Sequence, residues 1–170
     1  ENCSIAAVIP IQEGVGLVPD LNVGVLLIIA IGALETVAVF MAGWSSNNKY
    51  ALVGAMRGIA QMISYELPMV LALVSVVIVT QSLSMQAIVQ AQNIPFFLLL
   101  PMSFVLYFVG ALAEIGRCPF DLLEADSEIV AGYNIEYSGM KFAMFYLGEY
   151  GAALLVSMIT TTVFLSGWKG

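Results

Sequence analysis

Four long apolar stretches leave this chain few folds to choose from. Asn22 to Trp44, Ile59 to Thr80, Pro95 to Ile115 and Lys141 to Trp168 are dominated by Leu, Ile, Val, Phe, Ala and Met. The hydrocarbon core of a bilayer is ~30 Å thick and takes roughly 20 mostly apolar residues to cross as a helix. A lipid-exposed backbone must also satisfy its own N–H and C=O groups, which a helix does within the segment. The expected fold is therefore all-α, a polytopic transmembrane helix bundle with a membrane domain over 22–168 and spans near 22–44, 59–80, 95–115 and 141–168. Composition agrees, at 61% hydrophobic and 10% charged residues and a mean hydropathy of +0.97, well outside ordinary soluble domains.

Between the spans, residue type sets orientation. Residues 1–21 carry Pro10, Gly14, Gly16 and Pro19 and read as the end of a preceding element followed by an irregular outer-side segment. Glu1 opens the chain with no basic stretch ahead of a cleavable apolar run, so a longer parent protein is expected. Lys49 and Arg57 fall in the loop 45–58, while Arg117 and Lys141 flank the acidic loop 116–140. The positive-inside bias places both loops on the inner side, facing the cytoplasm or matrix. No repeat relates the first two spans to the last two, which weakens a transporter reading.

Charge and ligand inventory exclude several functions. A net charge of −7, from twelve acids against five bases, rules against nucleic acid, whose phosphates need a basic surface. The chain has no histidine, and its two cysteines, Cys3 and Cys118, lie far apart. Haem, zinc and iron–sulfur ligation thus lack a ligand set here, and any redox cofactor would sit elsewhere.

Carboxylates inside the spans are the first functional signal. Glu35, Glu66 and Glu149 lie within apolar stretches and Glu114 at the inner end of the third. On insertion scales a central acid costs roughly 2.5–3.5 kcal/mol, while a dozen large apolar residues return roughly 4–7 kcal/mol, so each helix inserts with its acid. At 1.5 Å rise per residue, Glu35 lies ~14 Å, Glu66 ~10 Å and Glu149 ~12 Å from the inner ends of their spans. Four helices can thus direct carboxylates to one interior zone, as a proton relay would need. The alternative is interhelical hydrogen bonding as structural glue. Pro68, two residues beyond Glu66, removes a backbone donor and should kink the helix near that acid.

The second signal is the loop beneath them. Pro119 pushes Cys118 to an extended conformation, so the third helix should stop near Gly116. Beyond it, Phe120, Leu122, Leu123, Ala125 and Ile129 interleave with Asp121, Glu124, Asp126 and Glu128, which suits a short interfacial helix with one wet side. Val130, Tyr133, Ile135 and Tyr137 follow, with Glu136 among them, and a loose aqueous loop would not need them. A partner protein or a polar entrance for an amphipathic ligand fits this surface.

EIGRCPFDLLEADSEIVAGYNIEYSG, with KFAMFYLGEY after it and GWSSNNKYALVGAMRGIAQMISYE before it, resembles the family of the quinone-site membrane subunit of respiratory complex I, the NADH-quinone oxidoreductase. The resemblance runs from about Asn22 to Trp168. It implies a subunit at the joint between a hydrophilic redox arm and a membrane arm, forming the floor of a quinone chamber. The substrate would be quinone, with FMN and iron–sulfur clusters in partner subunits and no cofactor held by this chain. Partners would be the hydrophilic quinone-site subunit, the terminal iron–sulfur subunit, adjacent proton-pumping membrane subunits and lipid. Glu35, Glu66, Glu114 and Glu149 would be the proton path. Arg117, Asp121, Glu124, Asp126, Glu128 and Glu136 would form the coupling loop, and Phe142 and Phe145 would offer apolar surface to the quinone. Departures are Gly116 and Cys118, where relatives often carry an amide and a small polar or aliphatic residue, and Asp126, which replaces a common glutamate. The family has about eight spans, whereas four are counted here.

Other readings stay open on the residues alone. A related membrane-bound hydrogenase or other-donor dehydrogenase shares the fold, and a stand-alone ion channel or transporter would also use intramembrane acids. A structural anchor would use the loop for docking and the glutamates as glue.

Overall fold

The computed structural model describes residues 6–10, 21–117, 119–120 and 138–169, and among these the regular elements are all helical. They are α1 (Gly24–Ser45), α2 (Lys49–Thr80), α3 (Met85–Ala91), α4 (Phe96–Leu99), α5 (Pro101–Glu114) and α6 (Met140–Phe164), followed by a 3₁₀ turn at Gly167–Lys169. Helices α1, α2 and α6 are long and apolar enough to cross a membrane. Below, the end of the bundle that bears the loop 116–140 is termed the inner end.

Local chemistry explains where the helices start and stop. Asn48 caps α2, its side-chain oxygen accepting the Tyr50 N–H at 3.0 Å, so residues 49–58 form the first turns of a helix rather than a loop. With 32 residues α2 is ~48 Å long, against a hydrocarbon thickness of ~30 Å, and it carries Lys49 and Arg57 on its inner extension. The apolar stretch 95–115 is divided between α4 and α5 at Leu100, where φ is −126° and ψ 60°. Pro101 is the cause, since its ring disfavours helical geometry at the preceding residue while suiting the first position of the next helix. At its far end α5 closes in a Schellman arrangement. Gly116 turns left-handed at φ +70°. Its N–H then reaches Ala113 O at 3.3 Å, and Arg117 N–H reaches Leu112 O at 3.3 Å.

Packing is tight where backbones meet through small residues. A Cβ added at Gly43 on α1 would lie 2.3 Å from Ala55 Cβ and 3.3 Å from Ala51 O on α2, and Ala51 and Ala55 are fully buried. One at Gly110 on α5 would lie 3.2 Å from Met69 Cβ and 3.3 Å from Tyr65 O, so α5 also rides closely on α2. Farther out, the Ser75 and Ser103 hydroxyls pair at 2.8 Å across the same contact. These are the small-residue contacts and interhelical hydrogen bonds on which helix association in lipid depends.

Helix α6 is fastened differently. Its buried residues run from Leu155 to Phe164. The Phe164 ring lies 5.5 Å from that of Phe104 and 5.4 Å from that of Tyr107. Gln92 donates to Val163 O at 2.7 Å and to Thr162 O at 3.3 Å, and Lys169 Nζ donates to Gln90 O at 2.7 Å. The core of Ile28, Leu73, Val76, Ile88, Tyr107, Ile159 and Phe164 therefore sits in the outer half. Toward the inner end, Met140, Met144, Leu147 and Tyr150 of α6 are exposed, as are Leu34, Val37 and Met41 of α1 and Val53, Met56 and Ile63 of α2.

Candidate functional site

Just inward of that core, α1, α2 and α5 each deliver one acid to a shared cavity. Glu35, Glu66 and Glu114 line a space of about 70 Å³, closed by Ile28, Leu73, Tyr107, Leu155, Val156 and Ile159. A space of that size is large enough to admit water. Glu35 and Glu66 both act electrostatically on Glu114. Gly32, one turn from Glu35, also lines the space, and a Cβ there would make an ordinary contact with Glu114 Oε1 at 3.9 Å. Gly32, Thr36, Met62 and the three glutamates also line a smaller recess beside the cavity. Glu114 occupies the last residue of α5, where the helix dipole presents its negative end. Three carboxyl groups, room for water and mostly apolar walls make a site that can hold and exchange protons.

Glu149 lies elsewhere. It is absent from the lining of this cavity and instead pairs with Arg117, with Nη2 to Oε1 at 3.2 Å and side chains 45% and 27% exposed. The guanidinium also lies over the Tyr150 ring, 5.1 Å from its centroid. Ile115 and Ala152 both line the cavity, so the ion pair stands two residues beyond the first and one helical turn inward of the second. The cavity has carboxylates inside and a cation-bearing pair at its inner edge.

The remaining predicted residues are dispersed. Phe142 stacks obliquely on Tyr146 at 4.7 Å, and Tyr146 lies 6.5 Å from Tyr150, so α6 carries an aromatic stripe leading up to Arg117. Phe145 is half-buried on the same helix. Lys49 Nζ lies over the Tyr50 ring at 5.2 Å, and Arg57 is half-buried on the inner part of α2. Asp121, Glu124, Asp126, Glu128 and Glu136, together with the interfacial helix expected there, lie outside the described residues. Among the described residues no group of acids and cysteines is arranged to hold a metal ion.

Sequence reasoning missed Gln61. It is 6% exposed, and its Nε2 donates to Ala113 O at 2.7 Å and to Phe120 O at 2.8 Å, tying α2 to the end of α5 and to the root of the acidic loop. One turn along, Tyr65 meets the Phe120 ring edge-on at 5.1 Å. The available signal was a lone amide on an apolar helix, five residues ahead of Glu66.

A family model described as NADH dehydrogenase matches residues 2–170. The H subunit of the NADH-quinone oxidoreductase of Dehalococcoides mccartyi (strain CBDB1) is 58% identical over 164 residues, covering 96% of this chain and 46% of the relative. The protein of the same name from Carboxydothermus hydrogenoformans is 52% identical over 161 residues, covering 94% and 46%. That from Rickettsia prowazekii is 53% identical over 166 residues, covering 95% and 48%. The chain thus spans about half the length of the curated relatives it matches.

Proposed function

The chain belongs to the NADH dehydrogenase family, and on that premise we propose that it is part of a membrane subunit of a proton-translocating NADH:quinone oxidoreductase. In this reading it forms part of the quinone chamber and the acidic path that couples quinone reduction to ion pumping. The observation that carries it is the convergence of Glu35, Glu66 and Glu114 on one cavity directly inside the root of the acidic loop. Relatives that match nearly the whole of this chain are named as the H subunit of an NADH-quinone oxidoreductase, which supports the same assignment.

Quinone reduction takes up two electrons and two protons. The electrons would reach quinone from NADH through FMN and iron–sulfur clusters of the hydrophilic partner subunits. This chain's own residues handle charge. The Arg117–Glu149 pair, at the inner edge of the cavity, would respond to protonation or movement in the loop of Asp121, Glu124, Asp126, Glu128 and Glu136. The aromatic stripe of Phe142, Tyr146 and Tyr150, with Phe145 beside it, offers the apolar wall that a quinone ring or tail needs. Protons taken up near the loop would pass to Glu114 and, through cavity water, to Glu66 and Glu35, from which adjacent pumping subunits receive the signal. The setting is the bacterial or mitochondrial inner membrane.

Photolabelling of native membranes with an azido-quinone, competed by unlabelled quinone and followed by peptide mapping, tests the chamber. Competed label is expected between Glu114 and Tyr150. Label confined to other subunits refutes a quinone wall in this segment.

A further inference from the structure

We propose that Gln61 is a positioning residue that locks the root of the acidic loop at Phe120 and the Glu114 end of α5 onto α2, so that a displacement of that root reaches the carboxylate cavity. The assignment rests on the quinone-coupled reading above and adds a residue to it. Both amide hydrogens of Gln61 are spent, one on Ala113 O at 2.7 Å and one on Phe120 O at 2.8 Å. Ala113 immediately precedes Glu114, and Phe120 immediately precedes Asp121. A single planar amide therefore fixes, relative to α2, the backbone on which a cavity carboxylate hangs and the backbone from which the loop departs.

Three features mark a joint rather than a cap. First, Ala113 O already accepts the Gly116 N–H that closes α5, so the helix end does not require Gln61. Second, the amide has one orientation open to it. Reversing it would set Oε1 against two carbonyl oxygens, and the neighbours thereby settle the side-chain assignment. Third, Oε1 is buried without a hydrogen-bond partner among the described residues. Tyr65 reinforces the grip through the Phe120 ring at 5.1 Å, and Glu66 is the next residue along α2. Displacement of the loop root must then move Ala113 and Glu114 with it, against Glu66, or break the clasp.

Gln61→Met, which keeps length and volume but has no donor, tests this in the assembled complex reconstituted into proteoliposomes. The readouts are complex recovered on native gels, quinone turnover, quinone KM and protons pumped per quinone reduced. The expected result is an at least twofold fall in protons per quinone at a KM within twofold of wild type. A purely structural role would lower recovered complex and both rates in proportion, leaving the ratio unchanged, and that result overturns the proposal. Gln61→Asn retains the amide but is too short to reach both carbonyls. It should lower the same ratio, and it carries the test if the methionine variant fails to assemble. Glu66→Gln is the reference. If it loses pumping while both Gln61 variants keep the wild-type ratio, the Gln61 assignment alone falls. If Glu66→Gln itself pumps normally, the coupling reading falls with it.

Discussion

Gly43→Ala adds one methyl group, and the structure says where it must go. The new Cβ would lie 2.3 Å from Ala55 Cβ, 3.3 Å from Ala51 O and 3.8 Å from Ala55 Cα. Carbon atoms rest at ~3.5–4.0 Å, so α1 and α2 must part by more than ~1 Å at this point. The obstructing atom is itself a Cβ, which no rotamer change moves. The penalty therefore belongs at the upper end of the overpacking range, ~3 kcal/mol. Alanine's helix preference over glycine offsets ~1 kcal/mol, leaving a net loss of ~2 kcal/mol. Gly148→Ala is the matched control, because a methyl there meets nothing within 4 Å and should leave stability unchanged or slightly raised. The assay is thermal unfolding of the purified complex in detergent, with native-gel recovery alongside. Gly43 lies two turns from Glu35 on α1, so the wedge should also part Glu35 from Glu66 and lower proton pumping. Equal stability of the Gly43 variant and wild type, or an equal loss for Gly148→Ala, would refute the close-packing argument.

Glu66→Gln and Glu149→Gln should lower proton pumping or quinone turnover more than they lower assembly, and equal loss of assembled complex on native gels would count against a role in coupling. Arg117→Met removes a part-exposed ion pair with Glu149 worth ~0.2–1 kcal/mol and a contact with the Tyr150 ring worth ~0.5–1 kcal/mol, so the unfolding midpoint should fall by only a few degrees, while quinone turnover should fall more steeply. An unchanged turnover would detach the pair from the chemistry. In the loop, Asp126→Glu should be mild because charge is kept, and Asp121→Asn severe because a charge near Arg117 in sequence is lost. Comparable activities of the two variants would contradict the coupling role.

Much of this architecture is legible in the sequence because lipid restricts the choices. An apolar run of the lengths found here has to be helical, and acids in separate runs at similar depth are apt to face one another. Glu35, Glu66 and Glu114 do so. Glu149 departs from that count for a geometric reason. Rise per residue gives depth along one helix but not the offset between helices, and the offset of α6 against α5 sets Glu149 level with Arg117 instead of with the cavity. The division at Leu100 was signalled by Pro101, yet the apolar residues on both sides masked it. Gln61 is conspicuous as a lone amide on an apolar helix, but its partners are main-chain carbonyls 52 and 59 residues away, and no side-chain pattern announces those.

The same contacts decide where movement can enter. Glu35 and Glu66 ride on helices wedged together at Gly43 and Ala55, and Glu114 rides on α5, held to α2 at Gly110 and through Gln61. Separating any of these opens packed backbone. On α6, by contrast, burial begins only at Leu155, and its inner part meets the loop root through the half-exposed Arg117–Glu149 pair. Regions with few buried contacts open at low free energy, and such a pair contributes ~1 kcal/mol or less, under a tenfold change in population. A protonation event or a ligand at the loop can supply that much. Displacement of the inner part of α6 against the α1–α2–α5 unit, with the loop root held to that unit by Gln61, is therefore the movement these contacts resist least, and it runs along the inner edge of the carboxylate cavity.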